Sequence, residues 1–333
     1  MQPKHIEIIP HFPVSSRFRL CLGVVATLLV LTGVAAVAQT SAKAPPGAAR
    51  CTVFPPDNPW NQRVDGLPVA ANSDILIESI GRDDNAHADF GSGTWNGGPI
   101  GIPFKVVSGR SRGSAVRFVE YGDESNRGRY PIPRRAPVEG GPRGQGDRHV
   151  IVIDRRRCKL YELYHARPLR GGRRWQAGSG AVFDLRSNTL RPAGWTSADA
   201  AGLPIFPGLA RFDEVAAGEI DHALRFTAPR TRNRYVYPAR HYASNDDDPD
   251  LPPMGLRVRL KTSVDVSRFP AQSRVVLRAL QRYGMILADN GSPWYVSGAP
   301  HSGWDDDDLH SLERLSGDDF EVVDTRSLPT PGL

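Results

Sequence analysis

The densest run of residues able to do acid–base work lies at 213–226: Asp213-Glu214, then Glu219-Ile220-Asp221-His222-Ala223-Leu224-Arg225-Phe226. On an extended strand Glu219, Asp221 and Ala223 share one face and His222 and Leu224 the other, which sets the two carboxylates about 7 Å apart. Two carboxyl groups on one surface can divide glycoside cleavage, one protonating the leaving oxygen and the other serving as base or nucleophile. A purely structural reading makes Glu219 and Asp221 solvent-facing groups at a strand entry. The expected catalytic residues are Glu214, Asp221, His222 and His241.

A second group is basic and aromatic: His222, Arg225, Tyr235, Tyr237, Arg240, His241 and Tyr242. A polysaccharide lyase needs a cation to neutralise a uronate carboxyl and a His or Tyr to take the neighbouring proton. Arg225, Arg240, Tyr237 and Trp195 are the expected substrate-binding residues, with Arg225 or Arg240 orienting an acidic group. Strand alternation puts Arg240 and His241 on opposite faces unless Pro238 breaks the register. The competing reading is a half-buried aromatic strand with satisfied histidines. Trp60, Trp95, Trp175, Trp195, Trp294 and Trp304 are enough to line a sugar-stacking groove or to fill a core.

Over these few residues, Glu219-x-Asp221 resembles the E-x-D-x-x-E core of retaining jelly-roll β-glucanases of the laminarinase type. Leu224 stands where the third acid belongs. The resemblance implies a glycan substrate and carboxylate chemistry at Glu219 and Asp221. Pro192–Leu209, together with Asp289-Asn290-Gly291-Ser292, resembles exported bacterial proteins of unassigned function over most of the chain, and implies no activity.

No H-E-x-x-H, G-x-x-x-x-G-K-S/T or G-x-G-x-x-G string occurs, which disfavours zincins and nucleotide enzymes. No cofactor is expected. Asp246-Asp247-Asp248 with Asp250, and Asp305 through Asp308, offer oxygen ligands that calcium could use, without the EF-hand pattern. Solvation and helix N-terminal charge account for the same residues without a metal. The cations are nearly all Arg, a bias that suits bidentate recognition of anionic groups or reflects coding alone. The formal charge of +6 has no concentrated basic stripe, so nucleic acid is not an expected partner.

These groups need elements to hold them. The chain has 333 residues, 40% hydrophobic and 23% charged, with 33 Gly and 29 Pro and no Gly-X-Y period. That is a globular composition rich in turns. Lys4, Arg17 and Arg19 precede an apolar stretch from Leu20 to Ala38 ending Ala36-Val37-Ala38. This reads as a signal peptide at 1–38, or alternatively as an uncleaved anchor. Residues 39–50 read as a Pro-rich linker and 51–333 as one folded domain. Export, to the medium or the periplasm, leaves Cys51 and Cys158 either as one disulfide or as two buried thiols.

Helices are predicted from Asn72 to Ile80 and from Pro270 to Tyr283. Short strands are predicted at 100–107, 115–121, 149–154, 158–164, 174–177, 181–185, 220–227, 234–242, 255–261, 285–289, 294–297 and 320–324. Asn290-Gly291-Ser292-Pro293 reads as a hairpin turn. The long connections 91–98, 122–148 and 192–209 lack any period. Strand and helix do not alternate regularly, so the expected class is mainly β, or α+β with dominant β. The expected form is a β-sandwich or jelly-roll-like single domain with a few peripheral helices. Together these features predict an exported carbohydrate-active protein. It would act as a glycoside hydrolase or polysaccharide lyase, or as a non-catalytic module that binds a polysaccharide or cell-envelope glycan.

Overall fold

The run Val150-Ile151-Val152-Ile153 is apolar at every position, as a strand buried on both faces must be. In the computed structural model, which describes residues 44–110 and 112–333, Val150–Asp154 is buried throughout. It pairs antiparallel with Lys159–Tyr164 and parallel with Phe104–Val107, and Ser179–Asp184 completes a four-stranded sheet. Ile151 and Ile153 belong to the large core, which also takes in Leu160, Phe206 and Phe226. Val150 and Val152 point the other way, into a smaller core with Tyr130, Leu163 and Trp175. The smaller core is closed by a second four-stranded sheet of Arg129–Tyr130, Ser114–Phe118, Arg174–Ala177 and Arg167–Leu169.

The largest sheet has six strands in the order His87–Asp89, Tyr295–Ser297, Leu224–Ala228, Met285–Asn290, Arg257–Leu260 and Phe320–Val322. Two of its pairings are parallel, 87–89 with 295–297 and 224–228 with 285–290; the others are antiparallel. The fold is therefore β-rich with few helices, and its sheets are mixed rather than purely antiparallel.

The helical period at 270–283 forms the helix Ala271–Arg282, whose Val275, Val276, Leu277, Ala279 and Leu280 are buried. The shorter predicted helix is Ser73–Gly81. Cys51 and Cys158 are disulfide-bonded, with S–S 2.05 Å and Cα atoms 5.2 Å apart. The stretch read as a linker is ordered from Ala44 onward. Turns close from Ala48 N–H to Pro45 O and from Cys51 N–H to Ala48 O, and Ala48 is buried in the core. The leader expected at 1–38 lies outside the described residues. No helix among the described residues is long and apolar enough to cross a membrane.

Three expectations are corrected. The segment Arg234–Tyr242 is not a strand: it keeps one bridge, Tyr235 to Met254, then turns through Ala239 N–H to Val236 O. Pro238 has no N–H for a ladder. The strands around Asn290-Gly291 are not a hairpin, because Leu224–Ala228 lies between them. Gly291 and Trp294 donate to Ala228 O and Thr227 O of that intervening strand. Thirdly, the strand expected from Ile220 begins only at Leu224, so Glu219 and Asp221 share no strand face.

Candidate active site

Strand pairing builds a polar row across the six-stranded sheet. Asp89 lies opposite Ser297, and the Phe226–Val296 pairing places Arg225 opposite Ser297 from the other side. Directly paired residues project to the same face. Arg225 Nη1 accordingly donates to Ser297 Oγ at 2.6 Å. The register between 224–228 and 285–290 slips after Phe226, where Thr227 faces Asp289 and Ala288 is the extra residue. This bulge turns Asp289 to Arg225's face, as bulges re-aim single side chains.

Three connections without any period close over that row. Pro192–Leu209, expected as an ordered loop, supplies Asp199, whose Oδ1 accepts from Arg225 Nη2 at 2.7 Å. Asp289 Oδ2 lies 3.6 Å from the same nitrogen. Burial raises the Asp199 carboxyl, and Arg225 only partly opposes it. Burial, then the Asp199 charge, pushes Asp289 up to about 7 against the pull of Arg225. Arg225 itself is fully buried yet firmly protonated, because Asp199 and Asp289 outweigh its desolvation.

The connection 122–148 supplies Glu139. His149 Nδ1 lies 2.7 Å from Glu139 Oε2, and its Nε2 lies 2.9 Å from Ala198 O, so the ring donates from both nitrogens as an imidazolium. Desolvation would lower His149, but Glu139's charge and hydrogen bond raise it to about 9. Burial would likewise raise Glu139, and His149 outweighs it, holding the carboxylate below its ordinary range.

Glu139 opens onto a cavity of about 590 Å³, whose wall also carries Asp89, His87, Tyr295 and Trp95. Asp89 is accessible from the cavity and its carboxyl makes no hydrogen bond among the described residues. Crowding by the walls, then Glu139's charge, raises it, with Arg225 and His87 opposing. Two carboxyls of one cavity are thus driven apart, Asp89 toward the acid and Glu139 toward the anion, the pattern of an acid–base pair. His87 and Tyr295, opposite each other in the sheet, stack at 4.4 Å. Trp95 is 74% exposed on a small hairpin, Thr94–Trp95 with Gly98–Pro99. Its turn is Asn96-Gly97, both at positive φ (49° and 82°), the form that asparagine and glycine favour.

A smaller cavity of about 170 Å³ is lined by Asp199, Asp289, Ser197, Tyr164 and His241. His241 Nδ1 lies 2.7 Å from Ala200 O, so Nδ1 carries a hydrogen and donates it to that carbonyl. Asp199 Oδ2 and Arg225 Nε are buried with no hydrogen-bond partner among the described residues.

The expected site residues are thus distributed. Arg225 and His241 join this cluster. Glu214 and His222 form a fully buried trio with Arg211: Glu214 Oε2 is 3.1 Å from His222 Nε2, and Oε1 accepts from Arg211. Asp221 is buried nearby in sequence, outside any strand, while Glu219 pairs with Arg282 at 2.9 Å. Arg240 faces a different cleft and donates to Arg191 O. Tyr237 donates to Pro331 O, and Trp195 packs under the Arg191 guanidinium at 5.7 Å.

Sequence reasoning missed Asp89, Glu139, His149, Asp199 and Asp289; the one local signal was Asn96-Gly97, which marks the hairpin carrying Trp95. A further string, Gly109-Arg110-Ser111-Arg112-Gly113, has nucleophile-elbow spacing. It joins two strands, Phe104–Val107 and Ser114–Phe118, whereas an elbow joins a strand to a helix.

The acidic runs have structural work. Asp308 accepts from Gln272 N–H and Ser273 N–H, both at 2.8 Å, and Asp305 caps its own short helix. Asp246 pairs with Arg230 at 2.7 Å. No cluster of three His, Cys, Asp or Glu able to hold a metal occurs among the described residues. No protein-family model, curated protein or solved structure matches the chain.

Proposed function

We propose that the protein is an exported glycan-cleaving hydrolase in which Asp89 is the general acid and Glu139 the base or nucleophile. The observation that carries this reading is that the two carboxyls line one aromatic-walled cavity, Asp89 without a hydrogen-bond partner among the described residues and Glu139 held 2.7 Å from the His149 ring. Trp95 and the His87–Tyr295 stack supply flat apolar faces for sugar rings. Asp89 donates its proton to the leaving glycosidic oxygen as that bond breaks. Glu139, kept ionised by His149, activates water or attacks the anomeric carbon.

Among the described residues the cavity's charged lining is Asp89, Glu139, Asp306 and Glu313, with no Lys or Arg. Such a wall repels a uronate, so the reading favours a neutral or amine-bearing polysaccharide or cell-envelope glycan over lyase chemistry on an acidic one. The disulfide and the leader pattern support export.

The test is reducing-end release across neutral, aminated and uronate glycans, with absorbance near 235 nm followed for lyase products. Asp89→Asn and Glu139→Gln should each lower turnover about 10²- to 10⁴-fold while the protein still binds glycan. Retention of glycan without product by the native protein would make it a binding module. Turnover that survives both substitutions would remove Asp89 and Glu139 from the mechanism.

A further inference from the structure

A third cavity, of about 480 Å³, lies away from the acidic cluster and has the opposite character. Among the described residues its charged lining is Arg50, Arg110, Arg155 and Arg156, with no carboxylate. The disulfide explains how they meet: Arg50 precedes Cys51, and Arg155-Arg156-Arg157 precede Cys158. Asp154 then organises the turn. It is fully buried, accepts from the N–H groups of Arg156 (2.9 Å) and Arg157 (3.3 Å), and binds the Arg157 guanidinium at 3.2 Å. The third segment is brought in by Gly109, at φ +66°, where a Cβ would stand 2.1 Å from Asp154 Oδ1.

Asp154 is therefore satisfied by Arg157 and two amides, and no ion pair to Arg50, Arg110, Arg155 or Arg156 occurs among the described residues. Four like charges around one concavity repel each other and are screened only over about 8 Å at physiological salt. A ligand with several negative oxygens relieves that repulsion and matches the planar guanidinium fork, which binds phosphate and sulfate bidentately.

We propose that this cavity is a binding site for a compact multivalent oxyanion, two adjacent phosphate or sulfate groups, gripped by Arg50, Arg110, Arg155 and Arg156. The site is independent of the proposed hydrolytic centre and stands whether or not glycan is cleaved.

The probe is inorganic pyrophosphate, titrated calorimetrically at constant ionic strength into the native protein, into R155E/R156E, and into R173E/R174E. The last pair makes the same charge change on exposed arginines outside the cavity. Pyrophosphate should bind the native protein, at least about tenfold more weakly to R155E/R156E, and within about twofold of native to R173E/R174E. Equal loss in both variants, or no binding to the native protein, overturns the proposal. Unchanged thermal unfolding of R155E/R156E shows that the loss is not one of folding. Co-sedimentation with phosphatidylglycerol-doped phosphatidylcholine vesicles, abolished in R155E/R156E, places the oxyanion on a lipid headgroup. Pyrophosphate binding without sedimentation places it on a soluble molecule.

Discussion

Asp289 faces Arg225 because its strand carries one residue more than the strand beside it. Without the extra Ala288, alternation would send the Asp289 carboxyl to the opposite face, and Arg225 would have Asp199 as its sole close anion. The bulge thereby packs two carboxyls against one guanidinium in a buried place, and burial raises both of them against the pull of Arg225 and, more weakly, of His149.

Removing that guanidinium should be costly. In Arg225→Met, Asp199 and Ser297 Oγ lose their hydrogen-bond donor and Asp289 loses the cation 3.6 Å away. Breaking a buried pair from one side costs about 3–5 kcal/mol. Asp289→Asn leaves the tighter Arg225–Asp199 contact in place and should cost far less. Urea unfolding of the two variants measures the difference; equal midpoints would mean that Arg225 is not the keystone of the row.

The same protonation states predict how stability varies with pH. Asp289 and Glu162, the latter a fully buried carboxyl on Lys159–Tyr164 that accepts from Ile205 and Phe206 N–H, both rise to about 7, burial being the first cause in each, so their contribution is complete below about pH 4 and is lost as pH climbs through 7. His149 rises from 6.5 to about 9, so its contribution is complete below 6.5 and is lost as pH climbs through 9. Glu139 and Glu214 are lowered, and theirs is lost only in strong acid. The melting temperature should therefore peak near about pH 5 and fall toward pH 9. Asp289→Asn should flatten the limb between 4 and 7. A melting temperature that rises from pH 5 to pH 9 contradicts these assignments.

The parts of the fold that were legible in sequence are those where one physical signal acts alone. Ala271–Arg282 has a helical stripe, and Val150–Asp154 has a run too apolar to face water. The candidate site was opaque because its carboxyls come from separate places: Asp89 on a three-residue strand, Glu139 and Asp199 in aperiodic connections, and Asp289 redirected by a bulge. Neighbouring acids and histidines at 213–222 suggest a site by sequence proximity, yet Glu214 and His222 serve a buried hydrogen-bonded trio with Arg211. The Asn-Gly pair at 290–291 predicts a hairpin, but another strand intervenes there. At 96–97 the same dipeptide does turn a hairpin, the one that holds Trp95.

Trp95 separates binding from folding. Its ring is largely exposed, so Trp95→Ala removes little from the core. Lost ring stacking should weaken glycan binding by about 1 kcal/mol with the melting temperature unchanged. Affinity electrophoresis in glycan-containing gels, beside a thermal melt, checks both. Unchanged glycan retardation would take the hairpin out of the binding surface.

Asp308, in the acidic run at 305–308, makes the opposite point, since its carboxylate is spent on a neighbouring helix. Pro270 precedes the helix Ala271–Arg282 and has no side chain to accept from the first free amides, so a remote carboxylate does so: Asp308 takes Gln272 N–H and Ser273 N–H, and Ser273 Oγ returns a bond to Asp308 O at 2.7 Å. A carboxylate at a helix N-terminus is favoured both by the hydrogen bonds and by the helix dipole. Asp308→Ala should therefore cost about 1–2 kcal/mol and speed amide exchange at Gln272 and Ser273 ahead of the rest of the helix. Asp307→Ala, which removes an exposed neighbour of the same charge, should do neither. Equal effects from the two substitutions would mean that the net charge of the run, rather than the cap, is what the helix needs.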